Sequence, residues 1–305
     1  LNCLVQIMSE ITNESTSEND PENPEIYTIA REQLSIISDN SDNNTEYFNC
    51  IENICQQAIT SAAEEAGISD DPGQAFFHVP WPLAHAIVAA YSEVINRLGF
   101  LFVERSDFSS ERSCGSAVSF IERFIPLLKS NETVPVLRIE ILRLISIVST
   151  AVVGIFQQST AEFMLPIFKE LILNEENPAI KLEAAITLKK YFKSISSSYL
   201  QNFFPESFDE IIKILSQSPQ YLYKPLIKCL SHFSILNELF HNYFVYFINT
   251  LLTIYVNSSG EDIDLKMTVI LSITFSLSKL KTNESQANFD GIVEQMKPNL
   301  FRLLK

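Results

Sequence analysis

Glycine is scarce in this chain, with seven among 305 residues, where a share near 7% is usual. That shortage disfavours turn-rich sheets, and no GxxxxGK[ST], GxGxxG or GxSxG occurs. Neither a phosphate cradle nor a nucleophile elbow is expected. Histidine is equally sparse: His78, His85, His232 and His241 form no HExxH and no i, i+4 ligand pair, so the metal and cofactor expectation is none. The five cysteines (Cys3, Cys50, Cys55, Cys114, Cys229) include no CxxC pair. An odd, scattered set is not a disulfide framework and reads as buried free thiols in a reducing compartment. Carboxylate pairs such as Glu64-Glu65, Asp70-Asp71 and Glu175-Glu176 are adjacent in sequence. Neighbours on a helix or turn point apart and make no acid/base couple. The chain does not read as an enzyme.

Basic residues are nearly missing from the first quarter. Residues 1–75 carry fifteen Asp and Glu against the single Arg31, while the rest of the chain is almost neutral. The overall charge of −15 therefore belongs to the N-terminal stretch. It disfavours direct binding of nucleic acid or of an anionic membrane, both of which it repels. Membrane insertion is not expected either. The most apolar run, LFHNYFVYFINTLLTIYV at 239–256, is interrupted by His241, Asn242, Asn249, Thr250 and Thr253 and reads as a buried helix.

What is abundant is helical apolar pattern, and it repeats. Residues 131–145 read NETVPVLRIEILRLI and residues 174–188 read NEENPAIKLEAAITL, an offset of about 43 residues. Asn131/Asn174, Pro135/Pro178, Arg138/Lys181 and Glu140/Glu183 correspond. Each copy is a polar turn, a proline in the first helical turn and an amphipathic helix; proline suits that place because its missing N–H has no partner there anyway. Weaker copies start at 219 and 263, and an earlier one lies at 82–98. A further apolar helix separates the copies at 115–129, 160–173, 204–216 and 237–256, with a short loop expected at 195–199.

Two helices per unit of roughly 40–47 residues is the spacing of HEAT and armadillo arrays. The Pro-x-[Leu/Ile]-[Arg/Lys] opening of the second helix resembles HEAT repeats over about residues 82–280. The expected fold is all-α, a right-handed α-solenoid of HEAT-like helix pairs, with a concave surface lined by second helices. Residues 1–81 are expected to form acidic helical repeats with loops, and residues 82–305 regular HEAT-like repeats of the same solenoid. Helical pattern at both ends reads as a piece of a longer array.

Among HEAT proteins the acidic balance, irregular repeats and loop insertions resemble an importin-β-type (karyopherin) transport receptor. The resemblance implies protein binding and protein transport between cytoplasm and nucleus. It implies basic cargo drawn to the acidic stretch 10–71, Phe-Gly nucleoporins between first helices, and Ran GTPase. The N-terminal Ran-binding signature of that family is not recognisable. The alternative is a HEAT scaffold subunit of a chromosome, kinase, phosphatase or vesicle-coat complex, held by permanent apolar interfaces.

Two sets of candidate contact residues follow. The loop ISDDPGQAFFHVPW at 68–81 turns from acidic to aromatic and carries the only tryptophan. Asp70, Asp71, Phe76, Phe77 and Trp81 are either a docking knob or a plug between helices. Glu140 and Glu183 recur at the repeat period and are expected to lie exposed on one helix face. Beside them, Arg138, Lys181 and Lys266 have two readings, a structural ladder or a cargo contact, and their recurrence favours the ladder. By resemblance, Asn131 and Asn174 are the turn partners of that ladder.

Overall fold

The structure, a computed structural model, describes residues 2–14, 24–39, 44–67, 76–105, 121–151, 158–195, 197–259, 262–283 and 294. Every regular element among them is helical. The chain forms two compact units, Leu1–Ala161 and Glu162–Lys305.

In the first unit, α1 (Asn2–Glu14), α2 (Pro24–Asp39) and α3 (Asn44–Ala66) gather on α4 (Trp81–Arg105), which also packs against α6 (Pro135–Ala151). The short α5 (Ile125–Lys129) packs on α6 as its partner in the pair. Helix α4 can take so many neighbours because of its side chains. Ala84, Ala86, Ala89 and Ala90 are small and wholly buried, while Ile87, Tyr91 and Val94 fill the gaps between them. Gly67 ends α3 at φ 65°, the left-handed cap its position in the sequence predicts.

The second unit is built from α7 (Gln158–Leu173, from Glu162 onward), α8 (Pro178–Ser194), α9 (Ser197–Gln217), α10 (Tyr223–His232), α11 (Asn237–Asn257) and α12 (Ile263–Asn283). Two 3-10 turns, Gln220–Leu222 and Phe233–Leu236, flank α10. The second helices α8, α10 and α12 pack in series, and each of α9 and α11 packs on its own partner. That is the paired order the repeat predicts. At the start of α8 the Asn177 side chain accepts from Ala179 N and Ile180 N at 2.9 and 3.4 Å. Such a cap satisfies amides that have no partner within the helix.

The core of this unit is aromatic. Phe204 and Phe208 of α9 meet Phe233 in the second 3-10 turn and Phe240 and Tyr243 on α11, with ring centroids 5.1–6.2 Å apart. These are edge-on or tilted contacts, the arrangement aromatic quadrupoles favour. The apolar run at 239–256 supplies Phe240, Phe244, Phe247, Ile248 and Leu251 to this core. It is the one helix among the described residues long and apolar enough to cross a membrane, and its phenylalanine side has protein partners.

One boundary differs from expectation. The loop expected at 195–199 is largely helix, because α9 starts at Ser197 and runs through Pro205. An internal proline costs one backbone hydrogen bond and about 3 kcal/mol. Here it is flanked by Phe204 and Phe208, both fully buried, so packing on both sides holds the helix through it. Helix α7 likewise contains Pro166, with Ile167 and Phe168 buried beside it. Among the cysteines, Cys55 and Cys229 are buried free thiols as expected, whereas Cys3 is exposed.

Candidate protein-binding surfaces

The aromatic joint before α4 is split in its roles. Phe76 is fully buried and stands edge-on to Phe124 at 5.1 Å, and Phe124 in turn meets Tyr91 at 6.3 Å. Phe76 therefore fills the core between α4 and the 121–129 segment, which agrees with the plug reading of this residue. Phe77 and Trp81 are partly buried, and His78 is exposed with its ring 5.8 Å from that of Phe77. Two backbone bonds fix the turn: Val79 N donates to Phe76 O at 3.2 Å and Ala84 N to Pro80 O at 3.0 Å. Asp70 and Asp71 lie outside the described residues.

Glu140 is a correction. It was expected beside Glu183 on an exposed face, yet its side chain is 1% exposed. Arg31 of α2 donates to it through Nη2 at 3.0 Å, and Arg143 through Nη1 at 3.3 Å. Arg31 also donates Nε to Glu93 of α4 at 2.6 Å. The lone basic residue of the first quarter thus joins three helices. An isolated carboxylate does not survive such burial, which is why the site holds guanidiniums. His85, on the same side of α4, is kept neutral: burial lowers its pKa, against the opposing pull of Glu140. Glu183 is partly buried on α8.

The recurring bases serve structure, though not with the partners expected. Arg138 is buried and donates Nε to the carbonyl of Leu128, at the end of α5, at 3.1 Å. Lys181 donates Nζ to the carbonyl of Leu173, at the end of α7, at 3.2 Å. Each base therefore closes the C-terminus of the first helix in its own pair, where carbonyls have no helical partner and positive charge is favoured. Asn174, expected as the partner of such a base, instead donates to Glu170 Oε2 at 2.8 Å. Lys266 departs from the pattern and lies over the Tyr255 ring at 5.3 Å. A ladder between successive repeats of the second unit does exist one position class away. Lys224 reaches Asp264 and Gln220 reaches Asp262, each at 3.0 Å and about one repeat apart in sequence.

A concavity in the second unit lies between α9 and α11, closed by Tyr223 of α10 and Leu265 of α12. It has a volume of about 400 Å³ and is floored by Ile212, Leu215, Ile254 and Leu265, with Tyr246 and Thr250 on its wall. Tyr246 is 50% exposed, so an amphipathic ring stands at the edge of an apolar floor. No sequence motif marked these residues. The available signal was the second stripe of α11, Tyr246, Thr250, Thr253 and Asn257 at helical spacing, running beside that of the phenylalanines.

No protein-family model and no curated protein matches the sequence. Solved structures do match. Importin beta, crystallised in a polyethylene glycol condition, aligns over 100% of this chain with TM-score 0.68 and 14% identity. Kap121p bound to RanGTP aligns over 99% with TM-score 0.61 and 16% identity, and Kap121p bound to Pho4p over 99% with TM-score 0.57 and 14% identity. The chain spans 35%, 27% and 32% of those structures, respectively. At such low identity the likeness concerns the backbone. The chain has an α-solenoid fold like that of importin beta and Kap121p.

Proposed function

We propose that the chain is a cargo-binding segment of a nuclear transport receptor, working in both cytoplasm and nucleus and without catalytic activity. The observation that carries this reading is the match of its whole length to importin beta. Supporting it is the acidic excess of the N-terminal quarter, fifteen carboxylates against Arg31. Arg31 is itself neutralised by Glu93 and Glu140, so it offsets little of that field. Exposed Glu32, Glu64 and Glu65, together with Asp70 and Asp71, attract a basic segment at long range and hold it by many weak, screened pairs. Such binding is fast and reversible, as delivery of cargo requires.

The groove between α9 and α11 has the form for a small apolar anchor, and we assign it to Phe-Gly nucleoporin segments. Phe77 and Trp81, partly exposed at the joint before α4, are the remaining aromatic contacts. Ran GTPase is the third partner, by analogy with the Kap121p structure that contains RanGTP. A scaffold role is the second reading, favoured by one feature: Ile263, Met267, Ile270, Leu271 and Phe275 form an exposed apolar stripe on α12.

A pull-down with the purified chain, washed at low and then high salt, separates the two. Basic nuclear proteins and Phe-Gly nucleoporins released by moderate salt are the expected result. A small stoichiometric set that survives high salt overturns the transport reading in favour of the scaffold.

A further inference from the structure

The second unit holds a charged surface of the opposite sign. Helices α8 and α10 pack against each other, and their lysines are Lys181, Lys189, Lys190, Lys193, Lys224 and Lys228 against one carboxylate, Glu183. Two of the six are engaged, Lys181 by the Leu173 carbonyl and Lys224 by Asp264. The other four have no ion pair or hydrogen bond among the described residues, and they converge. Lys189 and Lys193 are one turn apart on α8, Lys190 lies beside them, and Lys228 faces them from α10. Other described lysines of the unit are occupied: Lys169 and Lys213 both pair with Glu210, and Lys266 and Lys279 lie over aromatic rings. Among the described residues of the unit, the unpartnered lysines are thus gathered in one place.

Two details show that this gathering has a cost in the free protein. Burial and then the charges of Lys193, Lys228 and Lys190 lower the pKa of Lys189. His232, closing α10, keeps its buried Nε2 without a hydrogen-bond partner, and burial followed by Lys193 lowers its pKa to about 4. Like charges held together on two rigid helices, with a buried ring nitrogen beside them, are relieved by a bound anion.

We propose that Lys189, Lys190, Lys193 and Lys228 form a docking site for a short acidic peptide segment of a partner protein. The size of the patch favours a peptide. One helical turn is about 5.4 Å and adjacent helices lie about 8–10 Å apart, so the four ammonium groups span a few carboxylates. A nucleic acid needs a longer basic track, and the whole-chain charge of −15 repels an extended polyanion. None of these four lysines lines the groove between α9 and α11, and the site does not depend on how the acidic quarter is used.

The test is fluorescence anisotropy of a labelled oligoglutamate peptide with the full chain, at low ionic strength. The unsubstituted chain binds, and the triple variant K189Q/K193Q/K228Q loses about tenfold in affinity. The control K169Q/K213Q, which removes lysines already paired with Glu210, binds as the unsubstituted chain does. Because Lys189 is partly buried, the reversal K193E/K228E, confined to exposed side chains, gives the same answer if the triple variant misfolds. Equal binding by folded variants, absence of oligoglutamate binding, or tighter binding of single-stranded DNA at these same lysines overturns the assignment.

Discussion

Arg31 and Glu140 stand 109 residues apart in the chain and meet at 3.0 Å, with the glutamate side chain 1% exposed and the arginine 25% exposed. The contact ties α2 to α6 across the face of α4. It also removes from the surface the one cation of the acidic quarter. Removing Arg31 leaves a buried carboxylate with only Arg143 to balance it. Arg31→Met is expected to destabilise the chain by about 2–3 kcal/mol, less than a fully buried pair because Arg31 is partly solvated. Urea unfolding checks this, and the double variant R31M/E140M should recover part of the loss, since two apolar groups leave no unpaired charge.

The two helix-end contacts should differ in weight. Arg138 is 4% exposed and holds the Leu128 carbonyl. Arg138→Met therefore strands a buried acceptor and is expected to cost about 2 kcal/mol. Lys181 makes the same kind of bond to Leu173 but is partly solvated, and Lys181→Met should cost under about 1 kcal/mol. Paired denaturation curves decide; equal losses would mean that burial is not what separates the two sites.

Phe208 touches Phe204, Phe233, Phe240, Tyr243 and Phe247, with centroids within 6.2 Å. Truncation opens a cavity in the middle of that cluster. Phe208→Ala is expected to lose about 3–5 kcal/mol and the near-ultraviolet circular dichroism of the second unit. Phe208→Leu should retain most of both.

Acid should weaken the second unit. His232 has a pKa near 4 when folded and about 6.5 when unfolded. Below the unfolded value the unfolded chain takes up the proton first, so this stabilising contribution is complete above pH 6.5. It is lost as the pH falls towards 4, with about 1–2 kcal/mol gone by pH 5. His85, also lowered by burial, acts with the same sign in the first unit. In His232→Gln the acid dependence of the second unit should flatten; an unchanged profile would assign the acid sensitivity to other groups.

The repeat was legible because it depends on local rules. Pro135 and Pro178 start helices, Asn177 caps one, Gly67 ends another, and apolar spacing marks the buried stripes. Partners were not legible, because they depend on contacts far apart in the chain. Glu140 and Glu183 share a sequence position but not an environment, since only the former has Arg31 and Arg143 beside it. Phe76 looked like a loop aromatic until Phe124 and Tyr91 closed around it. The loop expected at 195–199 failed for the same reason: the helix that carries Phe204 and Phe208 into the aromatic cluster begins earlier, at Ser197. The groove at Tyr246 and the lysines of α8 and α10 needed two helices brought together, and no single stretch contains either.

The claim that matters most is that the acidic quarter binds basic cargo by charge. The direct measurement is the affinity of the chain for a basic nuclear-localisation peptide across a salt series, compared with E32Q/E64Q/E65Q/D70N/D71N. The account predicts a steep loss of affinity as salt rises, and for the neutralised chain weak binding with a much shallower slope. Tight binding that survives both salt and neutralisation would contradict it.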